Sequence, residues 1–126
     1  MIPDTSNLMT PYNLHVGDWV YVKDKYYQPV KIASMDDCKI ATSFGDIYSF
    51  AVLKPVFISD KTIKEFSLPC KGMAIKGKEG KYWWFSVMDK DGEVWEFKTN
   101  SIHNLQLHYY GITERYLNLQ WRKGDV

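Results

Sequence analysis

Apolar positions alternate with polar ones along most of this chain, and one long stretch, residues 100–119 (NSIHNLQLHYYGITERYLNL), instead has the spacing of a helix. With Ile102 set at zero and about 100° per residue, Leu105, Tyr109 and Ile112 fall within an arc of roughly 80°. That single apolar stripe suits a helix capping a sheet. Ser101 is the expected N-cap, its hydroxyl accepting from a first-turn N–H, and Gly111 the expected left-handed stop. A strand-like tail, Tyr116 to Trp121, is expected to return to the sheet.

Ahead of the helix the pattern is one of short strands. Trp19 to Val22 begins one after a Gly17-Asp18 turn, and Tyr27 to Ala33 forms a second after Asp24-Lys25. Met35-Asp36-Asp37 turns the chain into a third, Cys38 to Thr42, and Phe44-Gly45-Asp46 into a fourth, Ile47 to Leu53. Such close, regular spacing predicts an SH3-like small barrel or a strongly bent sheet. Pro55 interrupts it. Ser59 to Phe66 reads as a short middle helix capped by Ser59 or Asp60 and stopped by Pro69, and Lys71 to Lys81 as loop or weak strand. YWWFSVMDKDGEVWEFKT then reads as a hairpin, Tyr82 to Met88 and Glu93 to Thr99, closed at Asp91-Gly92 by a two- or four-residue loop. The expected fold class is α+β, mainly β. An irregular arm (1–13) leads to an SH3-like β subdomain (14–57) and an α+β subdomain (58–126) whose hairpin and helix pack together, all within one shared globular unit.

An even-length loop places even positions of the first hairpin strand on the same face as odd positions of the second. Tyr82, Trp84, Ser86, Met88, Trp95 and Phe97 then form the more apolar face, expected to take the helix. Trp83, Phe85, Val87, Val94, Glu96 and Lys98 form the other. Trp83 and Phe85 are either covered by the N-terminal strands or partly exposed as a contact surface, and a three-residue loop swaps the assignment.

A length of 126 residues with 45% hydrophobic content fits about one domain with a real core. A net charge of +1 provides no global field for nucleic acid or an anionic membrane. Cys38 and Cys70 lie far apart in no metal or redox spacing, which suggests free thiols in a reducing compartment. The opening residues lack the charge and apolar pattern of a leader, and no run approaches membrane-spanning length, so a cytoplasmic protein is expected.

Little in the sequence points to catalysis. His103 and His108 are five apart, which places them about 140° apart on a helix, whereas a shared metal needs spacings of three or four. Asp89-Lys90-Asp91-Gly92 starts like a calcium loop but lacks the third carboxylate and the closing Glu. Nucleophile elbows and phosphate loops are missing as well, so neither a metal nor a cofactor is expected. Two surfaces remain. Lys76, Lys78 and Lys81 beside Tyr82, Trp83 and Trp84 resemble what a single-strand binder uses, phosphate contacts next to stacking rings; the alternative is a solvated loop. His103, Leu107 and Tyr110 flank the helix stripe, as core edge or as a site for a partner chain.

Leu14-His15-Val16-Gly17-Asp18-Trp19-Val20, Leu53-Lys54-Pro55-Val56 leading into Ser59 to Phe66, the Tyr82-Trp83 strand, and Ile102-His103-Asn104-Leu105-Gln106 with Tyr109-Tyr110 and Leu117 recur in this order elsewhere. Together they make the chain similar to an uncharacterised family of small proteins from gut bacteria and their phages or mobile elements. The resemblance implies an intracellular protein with an N-terminal barrel-like sheet and a C-terminal helix, and no known activity. In similar proteins the short helix commonly ends in Gly-Phe; Phe66-Ser67-Leu68-Pro69 here implies a different loop. The expectation is a non-catalytic interaction module that binds a protein partner or itself through Trp83 and Phe85 or through His103, Leu107 and Tyr110. The alternative is nucleic-acid binding through Lys76, Lys78 and Lys81.

Overall fold

The computed structural model describes residues 8–122. The start of the expected arm, before residue 8, and the last residues of the expected second subdomain, beyond 122, lie outside the described residues. The fold is mainly β, with two antiparallel sheets and a C-terminal helix, as the periodicity predicts. The chain forms two compact units. The first runs up to Val56 and takes in Ser101–Asn104; the second comprises Phe57–Asn100 and resumes at Leu105.

In the first unit β1 (Trp19–Val22), β2 (Lys25–Met35), β3 (Lys39–Thr42), β4 (Ile47–Ser49) and β5 (Leu53–Pro55) form one sheet in the order β4-β3-β2-β1-β5. Sequential strands β1 to β4 lie side by side in it, and β5 adds to the free edge of β1. β1 turns into β2 over Lys23-Asp24, one residue earlier than Asp24-Lys25, with Asp24 in the left-handed region at φ 68°. A bulge between Ile32 and Ser34 bends the long second strand. The fourth predicted strand is broken: Phe50–Val52 forms a 3-10 turn that carries the chain from the β4 edge to the free side of β1. The inward alternation buries Leu14, Val20, Val22, Ile32, Ile40 and Leu53. Each such burial is worth about 1.5–3 kcal/mol and stabilises the sheet's inner face.

In the second unit, α1 (Asp60–Glu65) opens with a reciprocal cap: Ser59 Oγ accepts from the Thr62 N–H at 3.2 Å, and Thr62 Oγ1 from the Ser59 N–H at 2.7 Å. β6 (Met73–Glu79), within the stretch read as loop or weak strand, is a full strand of the second sheet, ordered β6-β7-β8 with β7 (Tyr82–Met88) and β8 (Val94–Thr99).

The last helix, α2 (Ile102–Thr113), runs through Gly111 instead of stopping there. Its end is set by Thr113, whose hydroxyl donates to the Tyr109 carbonyl at 2.8 Å and accepts from the Arg115 N–H at 3.1 Å, and by Glu114 at φ 61°. The tail after it is not a strand. Gln106 Nε2 donates to the Leu117 carbonyl at 3.1 Å, and Trp121 Nε1 and the Arg122 N–H donate to Glu65. The tail is thus fastened to α2 and α1, with Leu117 and Leu119 buried. Among the described residues no helix is long and apolar enough to cross a membrane.

Candidate functional site

The geometry of the hairpin decides which aromatics face outward. Met88 pairs with Val94, so the loop is the five residues from Asp89 to Glu93. One carboxylate organises it. Asp89 Oδ1 accepts from the Asp91 and Glu93 N–H groups at 2.8 and 2.9 Å, and Oδ2 from the Trp95 indole at 2.8 Å. That indole, with the backbone donors, holds the Asp89 carboxyl below the usual carboxylate range.

An odd-numbered loop reverses the parity expected from two or four residues. Trp83 pairs with Thr99, Phe85 with Phe97 and Val87 with Trp95 on one face; Trp84 pairs with Lys98, Ser86 with Glu96 and Met88 with Val94 on the other. The expected core face of Trp84 and Met88 is therefore the outer one. Trp83 and Phe85 go inward, at 8% and 0% exposure, and leave no contact surface of their own. Trp83 Nε1 donates to the Ile58 carbonyl at 3.1 Å. Phe85 stacks on Phe97 at 5.9 Å, and Phe97 on His108 of α2 at 4.4 Å, with burial pushing the His108 pKa down.

The outer face keeps large apolar groups in solvent. Trp84 is 38% exposed, Met88 51% and Val94 59%. An antiparallel sheet with one covered face normally shows polar side chains on the other, so this row is anomalous for a surface with no task. Charges of both signs flank it: Lys98 pairs with Glu79 and lies over the Trp84 ring at 5.8 Å, and Glu96 sits between Val94 and Lys98 on the strand. Gly77 on β6 pairs with Trp84, and a Cβ there would meet the ring at an ordinary contact distance of 4.0 Å.

The lysines of the alternative reading mostly cover rings. Lys78 Nζ lies over Trp83 at 5.2 Å and Lys81 Nζ over Tyr82 at 5.4 Å, which occupies the faces on which bases would stack. Lys76 is exposed at the bulge between Ile75 and Gly77. On α2, His103 is fully buried, while Leu107 and Tyr110 are exposed and the Tyr110 ring stacks on Tyr116 at 4.6 Å. The expected trio is thus split, one residue in the core and two on the surface.

Other chemistry is sparse among the described residues. Asp36, Asp37 and Cys38 bring three ligand-type atoms together on an exposed turn, but Asp36 Oδ1 already accepts from the Cys38 and Lys39 N–H groups at 2.7 and 2.9 Å. Cys70 is half-buried, and burial pushes its thiol pKa up, away from a reactive thiolate. No protein-family model matches the chain, and neither a curated protein nor a solved structure matches it. Trp84, Met88 and Trp95, all expected on the core face, are exposed, and Val94 of the opposite expected face joins Trp84 and Met88 on the outer one. Loop length is the signal for Trp84 and Met88, and Asp89 as a side-chain acceptor for its own loop sets it; Trp95 lies on the inner face but is drawn to the exposed loop by its bond to Asp89.

Proposed function

We propose that this chain is a non-catalytic interaction module whose open sheet face, centred on Trp84, Met88 and Val94, associates with a second copy of itself. The carrying observation is the exposure of those three large apolar side chains on one face of β7–β8. Desolvating a tryptophan and its apolar neighbours is the usual core of a protein interface. A second copy fits better than an oppositely charged partner: Glu79, Glu96 and Lys98 put both signs around the apolar row, and the net charge of +1 selects for no strongly charged surface. The covering of Trp83 and Tyr82 by Lys78 and Lys81 weighs against nucleic acid.

The test is sedimentation equilibrium of the wild type, Trp84→Ser and Val94→Lys over a range of concentration. A wild-type dimer that both variants weaken by tenfold or more supports the assignment. A wild type that stays monomeric throughout, or variants that dimerise unchanged, overturns it.

A further inference from the structure

A cleft of about 500 Å³ lies within the second unit, lined by Lys71, Gly72, Met88, Asp89, Lys90, Tyr109, Thr113 and Arg115. Its size is that of a small-molecule site. Two of its charges are already matched. Lys90 pairs with Glu114 at 2.6 Å, and the Asp89 carboxylate is taken up by the hairpin loop and the Trp95 indole. The side chains of Lys71 and Arg115 have no such partner among the described residues.

Both unmatched cations stand on backbone that the fold fixes. Arg115 follows Glu114 in its left-handed conformation, and the Arg115 N–H is held by Thr113 Oγ1 at 3.1 Å. Lys71 precedes Gly72, at φ 81°, whose carbonyl accepts from the Met88 N–H at 2.9 Å. The C-terminal end of α2 brings about half a negative charge to the same place, and Asp89 and Glu114 bring formal ones. The three cations exceed these by little, so the electrostatics favour a single negative charge over a multiply charged group. Arginine's planar fork matches a carboxylate bidentately. Tyr109, half-buried, and the Met88 thioether supply an apolar wall for the rest of the ligand.

We infer that this cleft binds a small organic carboxylate, with Arg115 and Lys71 on the carboxylate and Tyr109 and Met88 on its apolar body. The inference does not rest on the sheet-face association, but Met88 belongs to both surfaces, so the titration is run at a fixed protein concentration and read at Tyr109 and Arg115 as well. The probe is benzoate, followed by NMR shifts of the amides and the Met88 methyl group, with benzamide as the neutral isostere and inorganic phosphate as a second anion.

Saturable benzoate binding in the millimolar range, with shifts centred on Met88, Tyr109 and Arg115, is the expected result. Arg115→Gln is expected to weaken it roughly tenfold and Lys71→Gln several-fold, Arg115→Lys to restore part of the loss, and Lys61→Gln on α1 to change nothing. Arg115 is exposed, so these variants leave the core intact. Benzamide binding as tightly as benzoate would reduce the cleft to an apolar depression and overturn the inference. So would phosphate binding more tightly than benzoate, shifts centred elsewhere, or the absence of saturation.

Discussion

The Trp83 indole N–H donates to the Ile58 carbonyl at 3.1 Å across 25 residues of sequence, and the Lys78 ammonium covers the same ring at 5.2 Å. One tryptophan thereby ties the central strand of the second sheet to the segment that leads into α1. Trp83→Ala is expected to cost about 3–5 kcal/mol of folding stability. Trp83→Phe, which keeps a ring but removes the donor from the buried carbonyl, is expected to cost about 1–3 kcal/mol. Urea unfolding of the two variants checks the order; a Trp83→Phe loss near zero would mean that the hydrogen bond contributes nothing, and equal losses that the buried ring does not.

Much of this was legible in the sequence because period-2 alternation and turn residues report local geometry. The first three strands of the first unit, the Ser59 cap and the start of α2 near Ile102 all follow from that pattern. What failed depended on one side chain acting on distant backbone. Asp89 draws five residues into its loop and so inverts the faces of Trp83 and Trp84. Thr113 caps the end of α2 and carries the helix past Gly111, and Glu65 gathers a tail that reads as a strand. His103 and Leu107 look alike on a helical wheel; which one is buried depends on packing partners far away in sequence. The cleft was invisible for the same reason, since Lys71 and Arg115 line one cleft only in the folded chain.

Ser67, exposed after α1, holds a left-handed backbone at φ 56°. Glycine adopts that conformation without the steric cost that an L side chain bears. Ser67→Gly is therefore expected to raise stability by about 0.5–1 kcal/mol, and Ser67→Val to lower it, both read from thermal or urea midpoints.

Two histidines should respond to pH in opposite directions. Burial lowers the His108 pKa from 6.5, so as pH falls the unfolded chain takes up its proton first, and stability is lost from that value downward. For His15, the Asp18 carboxylate, 3.8 Å from Nδ1, outweighs burial and raises the pKa above 6.5. Its contribution is complete below that value and is lost as pH rises through the folded-state pKa. Imidazole NMR titration is expected to place the His108 midpoint below that of His15, and His108→Phe to lessen the loss of stability between pH 7 and 5. The reverse order of midpoints would contradict these environments.

Lys78 and Lys76, two residues apart on β6, differ in what they touch. Lys78→Ala uncovers the Trp83 ring and is expected to lower stability slightly, whereas Lys76→Ala, at the exposed bulge, is expected to be neutral. Neither change is expected to confer or remove affinity for a random single-stranded oligonucleotide at moderate salt. A steep salt-dependent loss of such binding in either variant would restore the nucleic-acid reading.

The most direct measurement is an isotope-filtered NOE experiment on a mixture of labelled and unlabelled chains, which records only proton pairs lying on different copies. Association through the open sheet face predicts intermolecular NOEs from the Trp84 ring and from the Met88 and Val94 methyl groups. Intermolecular NOEs confined to other residues, such as Tyr27 or Phe44 of the first unit, or none at the highest attainable concentration, would contradict it.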